Sequence, residues 1–143
     1  MATKVSTDFY DHEFVPPEVY FDPKKINRLY ISNWQIEIAQ YFRDYFGTPV
    51  TINNYFFGGQ YKESGTRLHN TPTGAKLSMH KYCLALDLKL KGMTANEVRA
   101  EILKNEQEFL KMGVTRIENG SLAPTWVHID HKFTGLDKIV VFG

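Results

Sequence analysis

From Leu84 to Lys91 the chain alternates without a break: Leu84, Leu86, Leu88 and Leu90 interleave with Ala85, Asp87, Lys89 and Lys91. Successive side chains of a strand point to opposite sides of a sheet. The run therefore predicts a strand with a leucine face for the core and a polar face on which Asp87 stands beside a small alanine. Residues 126–130 repeat the arrangement, with Val127 and Ile129 facing one way and Trp126, His128 and Asp130 the other. A sheet apolar on one face needs helices on that face.

Two helices are signposted. Ser32 and Gln35 have capping-box spacing, and Ile31 with Ile36 occupies the staple positions, which opens a helix over 33–46. Trp34, Ile38, Tyr41, Phe42 and Tyr45 recur on one face of it, and Gly47 followed by Pro49 ends it. Thr94 with Glu97, and Met93 with Val98, repeat the start signals for a helix over 95–112. Its buried stripe is Ala95, Val98, Ile102, Phe109 and Leu110, and its stop is Gly113. Residues 50–55, 114–118, 126–133 and 138–142 are the remaining strand candidates. Gly58-Gly59 opens a loop to about residue 77, and loops that long in a compact domain are commonly functional. Residues 1–30 read as an irregular arm, since Pro16, Pro17 and Pro23 exclude a long helix, and Tyr10, Phe14, Val15, Tyr20 and Phe21 would pack it on the body. The order predicts a single α+β domain over 1–143: a small, mostly antiparallel sheet with helices packed on one side.

The bulk properties remove several classes. Apolar residues make up 43% of the 143, enough for a folded core. A net charge of +1 argues against a nucleic-acid partner, and Lys24-Lys25 is more simply solvated charge. The single cysteine, Cys83, allows no internal disulfide. The start has no apolar stretch of signal-peptide type, and no later run has membrane-spanning length. No membrane partner is expected, and any target outside a cell would be reached by lysis, by another export route or from a virus particle.

Paired side by side, the strands 84–91 and 126–130 bring Asp87 and His128 onto one polar face. His80, just before the first strand, closes over the same spot. Taken singly, Asp87 is an ordinary half-exposed carboxylate, His80 a loop histidine and His128 a hydrogen-bonded sheet residue; the combination is what carries the reading. Two imidazoles and one carboxylate leave the fourth tetrahedral position of a metal open for water, and one cysteine cannot build a closed thiolate cage. Zinc suits such a set; manganese and iron accept similar donors. His131 points to the opposite side from His128 in a regular strand.

These residues resemble the zinc D,D-peptidases, a family that includes D-alanyl-D-alanine carboxypeptidases, dipeptidases and phage endolysins and shares its fold with the hedgehog signalling domain. The family's central motif has the form Ser-x-His-x-x-Gly-x-Ala-x-Asp, and Ser78, His80, Ala85 and Asp87 match it with Cys83 at the glycine. Trp126-Val127-His128-Ile129-Asp130 matches its last ligand strand, and Ser64-Gly65-Thr66-Arg67, followed by Asn70 and Gly74, matches its Ser-Gly-x-Arg segment. Phe9 to Pro17 and the helix end at Phe46-Gly47 before Pro49-Val50 also look like the peptidoglycan-acting branch.

The resemblance implies Zn2+ held by His80, Asp87 and His128, with Ser78 helping to orient His80. It implies that Arg67 pairs with a substrate carboxylate or with the developing oxyanion, for which a bidentate guanidinium is suited. Two departures stand out. Cys83 would be strained should the turn need positive φ. Thr125 stands where better-studied members carry the acid that moves the proton, three residues before the last histidine. Asp130, on the same face as His128, is the first replacement and Glu118 the second; Asp130 equally suits an acceptor that orients a histidine. The implied activity is hydrolysis of a D-alanine-containing bond in peptidoglycan peptide. Without a leader, a phage-type lysin fits, in the host cytoplasm or carried on a virion. The alternative is an inactive domain of the same fold that binds the wall or builds a virus particle beside assembly partners.

Overall fold

The computed structural model describes residues 2–26 and 30–143. Residues 27–29, which fall within the arm expected to be irregular, lie outside the described residues. The strands are β1 (Val50–Thr51), β2 (Ala85–Leu90), β3 (Arg116–Glu118), β4 (Val127–Asp130) and β5 (Val140–Phe142). They form one sheet in the order β1-β2-β4-β3-β5. Every pairing is antiparallel except that of β3 with β5. The fold is thus α+β, with an open, mostly antiparallel sheet and helices packed against it.

Helix α3 (Asn33–Phe46) forms as its ends predict. Ser32 Oγ accepts from Gln35 N–H at 3.1 Å, Gln35 Oε1 accepts from Ser32 N–H at 3.0 Å, and Gly47 turns left-handed at φ 63°. Ile38, Ala39 and Phe42 are fully buried, while Tyr45 stays at the rim with its hydroxyl on Glu101. These residues share one core with the leucine face of β2, with Ile117, Val127 and Ile129 of the neighbouring strands, and with Val98, Ile102 and Phe109. The opposite face of the sheet is left for chemistry.

Three expectations need correction. The helix over 95–112 is two helices, α4 (Ala95–Lys104) and α5 (Glu106–Lys111), broken at Asn105, whose side chain donates back to Glu101 O at 3.1 Å. The strand over 50–55 stops after Thr51, because the next amides are claimed from elsewhere: Asn53 N–H goes to Glu13 O and Asn54 N–H to Tyr61 O. The arm contains a 3-10 turn (Asp11–Glu13) and two one-turn helices, α1 (Pro17–Tyr20) and α2 (Pro23–Ile26), rather than being wholly irregular. Phe14 and Val15 are fully buried and Tyr20 nearly so, whereas Tyr10 and Phe21 are exposed. No helix among the described residues is long and apolar enough to cross a membrane.

The arm bears on the site. Thr66 N–H donates to Phe14 O at 2.7 Å, and a Cβ on Gly65 would lie 2.3 Å from that same oxygen. Only glycine lets the loop pass this close. From the other side, the buried Gln35 donates through Nε2 to Thr66 Oγ1 at 3.2 Å. The loop that carries Arg67 is therefore clamped between arm and helix.

Candidate metal centre

His80 sits in a short 3-10 turn (Met79–Tyr82), where Ser78 Oγ accepts from its backbone N–H at 3.3 Å. The turn ends at Cys83, which adopts φ 59°, ψ 32° and is the only non-glycine with positive φ among the described residues. That left-handed residue reverses the chain into β2, where Asp87 falls on the polar face. Strand β4 pairs so that Asp87 lies opposite His128 and Ala85 opposite Asp130. The alternation read in the two strands is thus realised in their register.

The three side chains converge. His80 Nε2 lies 3.2 Å from Asp87 Oδ1 and 3.2 Å from His128 Nδ1, and His128 Nδ1 lies 3.0 Å from Asp87 Oδ1. All three residues are buried, and among the described residues no other group of three or more His, Cys, Asp and Glu is close enough to share an ion. The atoms facing away are all spoken for. His80 Nδ1 donates to Gly65 O at 2.7 Å, His128 Nε2 donates to Asp130 Oδ2 at 2.9 Å, and Asp87 Oδ2 accepts from Arg67 Nη2 at 3.1 Å. With each ring N–H turned outward, the neutral imidazoles aim lone pairs at the carboxylate oxygen. Three lone pairs on one spot repel unless a cation lies between them. Donors around a tetrahedral ion with bonds of about 2.0–2.1 Å stand about 3.3 Å apart, close to the separations here. The donor set fits a divalent metal.

The electrostatics agree. Burial lowers the His80 imidazole, with Asp87 only partly offsetting it. Burial opposes charge on His128 as well, yet its hydrogen bonds to Asp130 and Asp87 push it up to about 9. Burial would raise Asp87, but the two imidazoles hold its carboxyl far below the usual carboxylate range. Asp130 is likewise lowered against its burial, by His128 and Arg116. The cluster is arranged to hold positive charge, and a metal there takes the place of a proton.

The proposed catalytic groups sit as follows. Arg67 donates through Nε to Glu63 O at 2.8 Å and through Nη2 to Asp87, so it holds the carboxylate of the triad in place. Asp130 is fully buried and receives both prongs of Arg116, at 2.9 and 2.7 Å, in addition to His128. Glu118 lines the same cleft as the triad, a cavity of about 500 Å³, and no hydrogen bond or ion pair among the described residues ties its carboxylate. Thr125 is exposed, and His131 turns away onto Trp34 at 5.9 Å between ring centroids. Sequence reasoning missed Arg116 and the role of Gly65. Arg116 had a signal: it alternates with Glu118 in its strand and so shares the polar face. Gly65 stands in the Ser64–Arg67 likeness, but its role depends on the approach of Phe14, which that motif does not show.

Together these features define an α+β domain with a buried His–Asp–His group that can hold a metal ion. No family model, no curated protein and no solved structure matches the chain.

Proposed function

We propose that the chain is a zinc-dependent peptidase that hydrolyses a D-alanine-containing bond of cell-wall peptide, of the kind carried by phage lysins. One observation carries the metal half of this reading: three donor atoms within 3.2 Å of one another, in a cleft that all three residues line. The wall peptide as substrate is supported by the motif likeness at Ser64–Arg67, Ser78–Asp87 and Trp126–Asp130. Bound there, zinc supplies Lewis acidity and a water acidified to a pKa of about 7. Arg67 fixes Asp87 with one nitrogen, and its Nη1, which makes no hydrogen bond among the described residues, can meet a substrate oxygen. Asp130 keeps the proton on His128 Nε2 and thereby the lone pair on Nδ1. Glu118 takes the proton-carrying role, because both oxygens of Asp130 are committed to Arg116.

A second reading, an inactive domain that grips wall peptide or forms part of a virion, is favoured by the same commitment of Asp130 together with Thr125 at the family's acid position. Metal analysis of the purified protein, coupled to a mass-spectrometric digest of peptidoglycan, separates the two. The peptidase reading expects one zinc per chain and D-alanine-containing fragments, with both lost in His80→Ala. Stoichiometric zinc without any fragment selects the inactive domain, and protein that takes up no metal overturns both.

A further inference from the structure

Three stretches of chain meet at the metal centre, and the start of α3 touches each of them. Gln35 Nε2 donates to Thr66 Oγ1 at 3.2 Å, in the loop that carries Arg67. The same nitrogen reaches Ala85 O at 3.5 Å, where β2 begins. Ser32 Oγ donates to Cys83 O at 2.6 Å, where the turn carrying His80 ends.

Ser32 performs two tasks with one hydroxyl. Its oxygen accepts the Gln35 N–H and caps α3, which needs only a lone pair. Its proton goes to a carbonyl 51 residues away in sequence, and helix formation does not require that bond. Cys83 is a residue that needs holding, because a left-handed backbone on a residue other than glycine persists only where its surroundings over-determine it. Within the turn, Cys83 N–H meets His80 O at a long 3.4 Å, and Leu84 N–H meets Met79 O at 3.1 Å. The thiol adds a weak contact to Tyr30 O at 3.3 Å. The bond from Ser32 is shorter than any of these and comes from a separate element. His80 and Asp87 lie on either side of Cys83 in the chain. The φ and ψ of that residue therefore set how the two ligands meet.

We infer that Ser32 is a positioning residue of the metal centre: its hydroxyl proton holds Cys83 left-handed and so brings His80 against Asp87 and His128. The inference rests on the metal half of the proposed function and is independent of the substrate.

Variants at position 32 separate the two tasks. Ser32→Asp keeps an acceptor for the helix but has no proton to give at neutral pH. Ser32→Gly deletes the hydroxyl at little cost to the cap, and Ser32→Thr keeps both functions. Circular dichroism confirms that each variant is folded, and Ser32→Gly serves if Ser32→Asp is not. Amide hydrogen exchange in the metal-free chain, followed by NMR, reads the turn directly. The Leu84 and Arg67 amides, bonded to Met79 O and His80 O, exchange about tenfold faster in Ser32→Asp and Ser32→Gly. Amides in the middle of α3 keep wild-type rates, and Ser32→Thr behaves as wild type throughout. Chelator competition on the same proteins reads zinc affinity, which falls about 10–100-fold in the first two variants and is kept in the third. Faster exchange shared by all of α3 would mean a capping role alone and overturns the inference, as does wild-type zinc affinity in folded Ser32→Asp and Ser32→Gly. A wild-type chain that takes up no zinc sinks the metal reading instead, while the exchange rates still decide whether Ser32 sets the His80 turn.

Discussion

His128 can present a lone pair to the centre only while something holds its other ring nitrogen, and Asp130 does so from a fully buried position at 2.9 Å. Arg116 in turn neutralises Asp130 through two hydrogen bonds. Removing the carboxylate charge with Asp130→Asn leaves the shape but loosens the ring, and metal affinity falls about 10–100-fold in a chelator-competition titration. Affinity equal to wild type would show that β4 alone orients the histidine. Cys83 poses a different residue-scale problem. Its left-handed backbone costs an L-residue about 1–2 kcal/mol, a cost that glycine escapes and a β-branched side chain worsens. Chemical denaturation should therefore rank Cys83→Gly above Cys83→Ala and Cys83→Val lowest, with about 2 kcal/mol between the extremes. The reverse order would mean that the sulfur's contacts with Tyr30 O and Thr66 matter more than the backbone.

Apart from the break at Asn105, which is local and was missed, elements whose signals lie within a few residues were legible in the sequence, and elements decided at long range were not. The capping box of α3, the Thr94 cap of α4 and the alternation of β2 and β4 are local patterns, and each is present. The convergence of Asp87 and His128 was legible for the same reason, since strand parity puts both on one face whatever lies around them. The early end of β1 was not, because it depends on Glu13, some forty residues upstream, taking an amide of residue 53. Nor was the commitment of Asp130, which depends on the pairing of Arg116 opposite it. The junction of arm and loop is the most consequential of these distant decisions, because Gly65 both passes Phe14 and offers its carbonyl to His80. Gly65→Ala forces that oxygen and the new methyl apart. Overpacking of this kind costs about 1–3 kcal/mol, and here the displacement also removes the His80 anchor, so thermal stability and metal affinity fall together. Loss of stability with metal affinity intact would show that the loop adjusts without moving its carbonyl.

At the scale of the whole molecule the arm is fastened by a histidine that carries no part of the metal site. His12 is buried, stacked on Phe56 at 4.1 Å, with Tyr10, Tyr20 and Phe57 around it, and its Nδ1 has no hydrogen-bond partner among the described residues. Burial lowers its pKa below the ordinary 6.5, with Asp11 beside it pulling weakly the other way. The folded chain thus resists a proton that the unfolded chain accepts. The sign follows from linkage: the stability tied to neutral His12 is complete above about pH 6.5 and is lost as pH falls toward the lowered folded value. His80 and His128 respond to acid as well, so the wild-type curve alone does not isolate the arm. The comparison with His12→Phe does, because phenylalanine keeps the stack on Phe56 but takes no proton. Melting temperatures followed from pH 8 to pH 5 in the presence of chelator should show the wild type losing more stability than the variant, the gap opening only below about pH 6.5. Parallel curves across that range would mean that the His12 cage admits the charged ring, and that the arm stays fastened in acid.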